Sequence, residues 1–472
     1  MIPAMIIVFI LGYLGIALEH KTGINKTAVA LCLGITLWIM YVFSGPAMII
    51  SGDTAGFHEY LSSDSRLANL PVKQQATDYV TNFQIIEHLG DIAEILLYLL
   101  GAMTIVEAID MHGGFNSITE RITTKNKKKL LWLIAFITFF MSAVLDNLTT
   151  AIIMTMLMGK LVKETKERWL FGSIVIIAAN AGGAWTPIGD VTTIMLWIHG
   201  NISSGQVMTH LFVPSIVALA IPVLAGSVML KGQLQPVGSP VSITQTNGIS
   251  RRQRTAILLL GIASLLSVPV FKSLTGLPPF MGIMLALGIM WIYLSFLYSH
   301  KPAIPIDKQF RIPAALAKID LSSILFFLGI LLAVAALEAI GVLGNLSTFL
   351  TDKVHNVYLI SITIGFLSSV IDNVPLVAAA MGMYPVLTSH AALTATDPQY
   401  MMNFIQDGTF WELVAYSAGT GGSILIIGSA AGVVVMGLEK IDFMWYLKHI
   451  SWLAVLGFLA GMGIYFIEKT IF

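Results

Sequence analysis

The sequence predicts an all-α polytopic membrane protein built from two inverted repeats, each with a re-entrant hairpin and a broken (discontinuous) transmembrane helix. Three observations predict this fold class. Of the 472 residues, 56% are hydrophobic and only 11% are charged, which is too little charge to cover a soluble domain. Apolar runs long enough to cross a bilayer recur along the whole chain. Two blocks of polar residues inside those runs also resemble each other in sequence.

Charge and cysteine content exclude several classes of protein. The 26 Lys and Arg residues balance the 26 Asp and Glu residues, so nothing makes the chain basic enough to favour nucleic-acid binding. Cys32 is the only cysteine in the sequence, which excludes an internal disulfide and cysteine-ligated zinc or iron–sulfur sites. The first apolar run, 2–18, has no basic stretch before it, so we expect a retained span rather than a removed signal peptide.

A helix of about 20 apolar residues crosses the hydrocarbon core. Two apolar segments, 131–159 and 356–385, are interrupted at their middle by the polar pairs Asp146-Asn147 and Asp372-Asn373. The uninterrupted runs that qualify as spans are 2–18, 27–45, 92–111, 171–198, 209–230, 255–272, 278–298, 321–342, 407–438 and 443–467.

Charge around the first interrupted segment predicts that it enters and leaves the membrane by the same face. Basic loops stay on the cytoplasmic side, and a single crossing would place one basic flank outside. Each arm of about 13 residues reaches roughly 20 Å, to mid-membrane. The basic residues on its two flanks are Arg121, Lys125, Lys127, Lys128, Lys129, Lys160, Lys163, Lys166 and Arg168.

The second interrupted segment has few basic residues on either flank, so we expect its hairpin to enter from the external face and the N-terminus to lie outside. The predicted division of the chain is N-terminal spans and an external loop at 1–90, a first transport repeat at 91–230, a cytoplasmic linker at 231–254, connecting spans at 255–319, a second transport repeat at 320–440 and a C-terminal span at 441–472.

An internal repeat links the two hairpins. FMSAVLDNLTTA at 140–151 aligns without gaps to FLSSVIDNVPLV at 366–377, and NAGGAWTPIGD at 180–190 aligns to GTGGSILIIGS at 419–429. Because the hairpins enter from opposite faces, the repeats are inverted. This construction is typical of secondary transporters, whose sites lie near the midplane where the halves meet.

Polar side chains at membrane depth are costly unless they have partners or a function. Paired glycines and Pro187 predict that the runs 171–198 and 407–438 unwind at mid-membrane. Freed carbonyls, amides, hydroxyls and carboxylates are the ligands that a hard cation such as Na⁺ prefers. A carboxylate in such a place can hold either a cation or a proton. The candidate binding residues are Asp146, Asn147, Asn180, Asp190, Asp372 and Asn373, supported by Ser142, Thr192, Thr193 and Ser368.

Structural roles compete with these assignments. The three aspartates are suited to capping the helix that follows each of them, and membrane threonines often bond back to their own helix. Glycine pairs also serve close helix packing. We expect Glu107 and Glu338, which lie toward helix ends, to be interfacial rather than ligands.

The motifs SAVLDNLTTA (142–151), NAGGAWTPIGDVTT (180–193), SSVIDNVP (368–375) and YSAGTGGS (416–423) resemble those of the NhaD-type sodium/proton antiporters. That family belongs to the ion transporter superfamily, together with divalent-anion/sodium symporters and arsenite pumps. The resemblance covers about residues 90–440. It implies export of Na⁺ or Li⁺ in exchange for H⁺ at a bacterial inner membrane, favoured at alkaline pH, and it adds Thr420 and Ser423 to the important polar residues.

The two halves differ in the polar groups they carry. Asp190 aligns with Ser429, and Asn180 aligns with Gly419. We therefore expect Na⁺ at Asp146, Asn147, Asn180 and Asp190, with Asp372 as an auxiliary site. The anion-transporting relatives carry Ser-Asn-Thr at the hairpin tips, whereas carboxylates there suit a cation and repel a dicarboxylate.

A sodium-coupled anion (dicarboxylate-type) transporter on the same fold is the alternative function. A channel is disfavoured, because it would not need titratable groups in both halves. An enzyme is disfavoured as well, because the sequence shows no nucleophile–base pair or metal cluster at membrane depth. We expect no cofactor beyond the transported ions, and partners limited to small cations and lipid. A homodimer is left open.

Overall fold

Helices form the regular elements of the chain in the computed structural model, which describes residues 1–63, 66–115, 124, 126–230, 232–233, 249–300 and 311–471. A π-helical segment, Val80–Gln84, and short 3-10 segments at Leu67–Asn69 and Met402–Phe404 accompany the α-helices. The α-helices are α1 Ile2–Ala17, α2 Glu19–Thr22, α3 Lys26–Val42, α4 Pro46–Gly52, α5 Thr54–Ser63, α6 Val72–Tyr79, α7 Ile85–Met111, α8 Lys127–Leu145, α9 Asn147–Leu161, α10 Thr165–Gly183, α11 Val191–Ile198, α12 Ser204–Met229, α13 Arg251–Thr275, α14 Pro279–Ser299, α15 Ile312–Leu316, α16 Leu321–Ala339, α17 Val342–Lys353, α18 Val357–Ser368, α19 Asn373–Met383, α20 Ser389–Leu393, α21 Pro398–Met401, α22 Thr409–Gly421, α23 Ala430–Glu439, α24 Phe443–His449 and α25 Ser451–Ile471.

Seven helical stretches in the described residues are long and apolar enough to cross a membrane, or up to eight if the bent pair α3–α4 counts as one span. The predicted runs 209–230, 255–272 and 278–298 fall on α12, α13 and α14. This confirms the prediction of a multi-pass, all-helical membrane protein.

Two predicted spans differ from the helices observed. The run 92–111 is the end of a continuous 40-residue helical stretch, Val72–Met111, because residues 72–91 hold a single glycine and no proline to stop the helix. The run 443–467 is divided between α24 and α25. Of the predicted linker 231–254, residues 231 and 234–248 lie outside the described residues.

The arms of the two predicted hairpins are unequal. In the first, α8 has 19 residues and α9 has 15, while in the second, α18 has 12 and α19 has 11. α8 exceeds the predicted length of about 13 because Asn126 caps it, accepting from the backbone N of Lys129 at 3.1 Å. The basic residues before the apolar run thereby join the helix, since lysine favours helical backbone.

The chain forms two compact units. The first comprises Met1–Leu96, Asp320–Ile360 and Val374–Phe404, and the second comprises Leu97–Ile319, Ser361–Asn373 and Ile405–Phe472. The second unit contains the broken helices and every polar residue singled out from the sequence, apart from Glu338.

In the first unit, α3 packs along α16, and the two helices run parallel. The hydroxyl of Thr27 lies 2.9 Å from that of Ser322 near their starts, and Tyr41 donates to the carbonyl of Ala339 at 3.1 Å near their ends. The backbones approach so closely that a Cβ on Gly329 would lie 2.5 Å from the carbonyl carbon of Ala30. This is the small-residue packing typical of membrane helices.

In the second unit, α12 and α25 run antiparallel. A Cβ on Gly457 would lie 2.2 Å from the carbonyl oxygen of Ala218, and one on Gly461 would lie 2.5 Å from that of Pro214. Glycine at both positions therefore lets the two backbones meet, which makes this pair a closely packed support for the helices beside it.

We expect Gly329→Ala to lower the unfolding free energy by about 1–3 kcal/mol, because the added methyl group forces α3 away from α16. Thermal unfolding in detergent measures the change. Gly288→Ala on α14 is the matched control, since nothing lies within 4 Å of a Cβ placed there. It should be neutral or stabilising by up to about 1 kcal/mol. Equal midpoints for the two variants would contradict this packing.

Candidate functional site

Two helices are interrupted where the glycine-rich stretches predicted unwinding. α10 ends at Gly183 and α11 begins at Val191, while α22 ends at Gly421 and α23 begins at Ala430. The residue that aligns with Val191 in the internal repeat is Ala430, so both breaks end at the same point of the repeat. The predicted breaks are confirmed.

Asp190 lies at the first break and caps α11. Its Oδ1 accepts from the backbone N and from the hydroxyl of Thr192, each at 3.0 Å. Thr193 completes a capping box with the backbone of Asp190. The carboxylate is buried, with the residue 1% exposed. Asp190 therefore does cap α11, and this position places its carboxylate at the positive end of the helix dipole.

The turn of the first predicted hairpin reaches this carboxylate. Asn147 donates from Nδ2 to Oδ2 of Asp190 at 2.6 Å and to Oδ1 of Asn180 at 3.2 Å. Asp146 adopts a φ of 89° and caps α9, accepting from the backbone N and the hydroxyl of Thr149 at 2.8 Å. The turn therefore directs Asn147 toward the helix break, while Asp146 caps α9, the helix that follows.

The second half contributes to the same cluster. Asn373 donates from Nδ2 to the two carboxylate oxygens of Asp190 at 3.3 and 3.4 Å. Asn180 donates from its own Nδ2 to the hydroxyls of Ser423 and Ser429, each at 2.9 Å. Asp190 and Asn180, both from the first repeat, are therefore bonded to the hairpin tip and to the break of the second repeat.

Two further carboxylates lie near Asp190. Asp146 and Asp372 both lie close enough to Asp190 for their charges to interact with it. Like charges in a low-dielectric site repel one another strongly. A positive ion or a proton among the three aspartates would therefore reduce this repulsion.

The two repeats make the same contacts between hairpin and broken helix. Ser142 donates to the carbonyl of Ala179 at 2.5 Å, and its counterpart Ser368 donates to the carbonyl of Ala418 at 2.7 Å. A Cβ on Gly182 would lie 2.2 Å from the carbonyl oxygen of Phe139, and one on the equivalent Gly421 would lie 2.3 Å from that of Gly365. The glycines are needed at these crossings, so close packing and helix breaking occur together.

The two broken helices run in opposite directions. At one end, Arg168 and Trp169 at the start of α10 bond Glu439 at the end of α23, through an ion pair at 2.8 Å and an indole-to-carbonyl bond at 3.1 Å. At the other end, Asp407 before α22 accepts from the backbone N of Ser203, shortly after α11, at 2.6 Å. Each helix therefore begins where the other ends.

The supporting residues divide into two groups. Ser142, Thr192, Thr193, Ser368 and Ser423 bond within the breaks and hairpins described above. Thr420 instead donates to the carbonyl of Tyr416 on its own helix at 2.5 Å, as membrane threonines often do.

The sequence-based site residues omitted two contributors. Ser429 bonds Asn180 and caps α23 through the backbone N of Gly432, and its alignment with Asp190 was the signal for it. Tyr446 is fully buried and donates to the carbonyl of Ser423 at 2.7 Å. Tyr446 lies outside both repeats, so the internal alignment offered no signal.

Comparisons with known proteins agree on a transporter. A family model described as "Citrate transporter" (CitMHS) matches residues 4–405. Sodium/proton antiporters 1 and 2 of Arabidopsis thaliana are 43% and 40% identical to this chain, each over 98% of it and over 72% and 98% of their own lengths. The Na⁺/H⁺ antiporter NhaD of Vibrio cholerae is 31% identical over 82% of this chain and 80% of its own.

We expect Ser429→Ala to lower the unfolding free energy by about 1–3 kcal/mol, because α23 loses its cap and Asn180 loses a buried acceptor. Ser203→Ala is the matched control, since Ser203 also caps a helix, accepting from Gln206 at a partly exposed position. It should cost about 0.5–1 kcal/mol. Chemical denaturation in detergent measures both, and an equal loss would remove Ser429 from the buried network.

Proposed function

The chain belongs to the CitMHS family and to the NhaD-type sodium/proton antiporters, and we propose that it exchanges Na⁺ or Li⁺ for H⁺ across a bacterial inner membrane by alternating access. The observation that carries this proposal is the Asp190 carboxylate, which is buried at a helix break and bonded by amides from both hairpin tips. A carboxylate holds a proton or a cation, and competition between the two is sufficient for exchange.

The proposed Na⁺ ligands are Asp146, Asn147, Asn180 and Asp190. In the contacts described, Asn147 turns its NH₂ group toward Asp190. Rotation of that amide by 180° presents its oxygen instead, which is the ligand a hard cation prefers. Asp190 then loses the hydrogen bond from the Asn147 NH₂ group, and the positive charge of the bound ion offsets that loss.

The asparagine and the aspartate at the helix breaks both belong to the first repeat, which supports unequal roles for the three aspartates. A Cβ on Gly419 would lie 3.0 Å from the Cβ of Ala184, so the crossing of the two breaks leaves little room for an asparagine in both halves. Only Asn180 reaches across this crossing, where it donates to Ser429. Ser429 is the residue that aligns with Asp190. We therefore assign the main exchange to Asp146 and Asp190, with Asp372 and Asn373 as auxiliary groups.

The proposed topology is a pair of inverted repeats with re-entrant hairpins, dipping from the cytoplasmic side at 131–159 and from the external side at 356–385. The opposite directions of the broken helices and the repeated serine contacts support inversion. With the N-terminus outside, α3 and α16 both run outward while α12 and α25 run in opposite senses. The parallel packing of α3 with α16 and the antiparallel packing of α12 with α25 agree with this topology.

The alternative function is a sodium-coupled anion transporter, which the description of the matching family as citrate transporters favours. An anion site requires positive or neutral groups, whereas Asp190 has two further carboxylates beside it. Na⁺-dependent proton movement in vesicles that contain no carboxylate ion separates the two functions. A requirement for citrate would favour the alternative.

We expect Asp190→Asn and Asp146→Asn each to lower Na⁺-dependent proton movement by about 100-fold or more, because an amide cannot take up the exchanged proton. The measurement is dequenching of a pH-sensitive dye in inverted vesicles or proteoliposomes. Asp442→Asn is the matched control, since Asp442 caps the short helix α24 at an exposed position. Unchanged exchange in Asp190→Asn with normal protein levels would end the proposal.

We expect Asp372→Asn to keep exchange within about tenfold of the unmodified protein while raising the Na⁺ concentration for half-maximal rate. The reason is that one negative charge near Asp190 is lost, and with it part of the electrostatic attraction for a cation. Titration with Na⁺ and Li⁺ measures the shift. A complete loss, matching Asp190→Asn, would show that the two halves contribute equally.

A further inference from the structure

A buried hydroxyl without a hydrogen-bond partner lies one helical turn from the proposed exchange site. Thr150 on α9 is 0% exposed, and its Oγ1 has no hydrogen-bond partner among the described residues. Most buried polar side chains in proteins are hydrogen-bonded, because burying an unpaired hydroxyl costs free energy. Packing alone therefore does not account for a hydroxyl at this position.

The usual partner of a threonine hydroxyl in a membrane helix is the carbonyl four residues earlier. Thr138 on α8, which is also fully buried, donates in this way to the carbonyl of Ile134 at 2.7 Å. The corresponding carbonyl for Thr150 belongs to Asp146. It accepts from the backbone N of Thr150 at 3.2 Å, whereas the hydroxyl makes no such bond. The hydroxyl is therefore left to bind a group other than its own helix.

Thr150 shares a face of α9 with Asn147, the residue of this helix that reaches the exchange site. Residues three apart in a helix have Cβ atoms about 5–6 Å from each other. Nδ2 of Asn147 lies 2.6 Å from the Asp190 carboxylate and 3.2 Å from Oδ1 of Asn180. An ion bound by Asn147 and Asp190 therefore lies within one helical turn of the Thr150 hydroxyl.

The surroundings and the chemistry of this hydroxyl suit an alkali cation. α9 packs against α10 and α23, which are halves of the two broken helices, so its buried face looks toward protein and away from lipid. A hard cation prefers oxygen ligands. A hydroxyl oxygen has two lone pairs and can bind a cation without adding negative charge to the site.

The hydroxyl is confined to the first repeat. In the internal alignment Thr150 corresponds to Leu376, just as Asp190 corresponds to Ser429. An apolar side chain therefore fills the equivalent place in the second hairpin, so a hairpin of this kind does not require a hydroxyl there. An oxygen ligand in the half that also holds Asp190 agrees with one main cation site.

We propose that Thr150 is a further ligand of the transported cation and binds it through Oγ1, beside Asn147 and Asp190. This inference rests on the proposed function and adds one neutral oxygen to the proposed Na⁺ ligands. The ion supplies the partner that the protein does not, which offsets the cost of burying the hydroxyl. Removal of the hydroxyl therefore weakens cation binding and spares the fold.

The test replaces the hydroxyl by a methyl group in Thr150→Val and measures exchange in proteoliposomes across Na⁺ concentrations. We expect the Na⁺ concentration for half-maximal rate to rise by about tenfold, as for the loss of one polar partner of a charge. The maximal rate should change by less than about threefold, because the carboxylates that take up the proton remain. Thr150→Ser, which keeps the hydroxyl, should stay within about threefold of the unmodified half-saturation.

Thermal unfolding in detergent separates this role from a structural one. Without Na⁺, the midpoint of Thr150→Val should stay the same or rise by up to about 4 °C, because valine removes a buried hydroxyl that has no protein partner. A lowered midpoint would mark a structural hydroxyl and overturn the assignment. Added Na⁺ should raise the midpoint of the unmodified protein more than that of Thr150→Val, since a ligand that binds only folded protein stabilises it.

Two other threonines supply matched controls. Thr138→Val loses the bond to Ile134 and should lower the midpoint without changing the Na⁺ dependence. Thr155 on α9 is also buried, with an Oγ1 that lacks a partner among the described residues, but it lies about 12 Å along the helix from Asn147. Thr155→Val should match Thr150→Val in midpoint and the unmodified protein in Na⁺ dependence.

The outcomes distinguish the ligand from the proposed function. Exchange with the same half-saturation in Thr150→Val and the unmodified protein would overturn the ligand and leave the proposed function intact. If the unmodified protein shows no exchange, a Na⁺ response of the midpoint that is smaller in Thr150→Val would overturn the proposed function alone. An equal or absent Na⁺ response of the two midpoints would then overturn both.

Discussion

The buried carboxylate of Asp190 is the interaction around which the second unit is arranged. A charge at this depth in an apolar chain persists only where hydrogen-bond donors surround it. Thr192 supplies two donors from the helix that Asp190 caps, and Asn147 and Asn373 supply amides from the two hairpin tips. The helix break at Asp190 and the turns that carry Asn147 and Asn373 therefore depend on each other, because the amides of the turns satisfy the buried carboxylate.

Helix capping and the proposed ion binding involve the same residues in this molecule. Asp146, Asp190 and Ser429 each cap the helix that follows a turn. A helix start offers backbone donors and a positive dipole, which both stabilise a carboxylate in its charged form. The capping role of these residues is therefore compatible with the proposed cation binding.

Equivalent backbone contacts in the two repeats carry different chemistry. The serine-to-carbonyl bonds and the glycine crossings recur in both halves. The carboxylate of Asp190 has a serine as its counterpart, and Glu412 has Ser173, whose hydroxyl bonds its own helix. One repeat therefore carries the buried carboxylate at the first helix break, and the other carries Glu412, which contacts His210 of α12 and accepts from Tyr465 of α25.

The sequence by itself determined the membrane class, the two helix breaks, the repeat and nearly all the polar residues at the site. Apolar length, glycine pairs and self-similarity are local properties that survive in a linear chain. Only the tertiary structure decided which residues meet. Asn180 reaches Ser423 and Ser429 across more than 240 positions, and Tyr446 and Glu412 bond residues on other helices. Hydrogen bonds between distant segments leave no periodic signal, because they depend on how the helices cross.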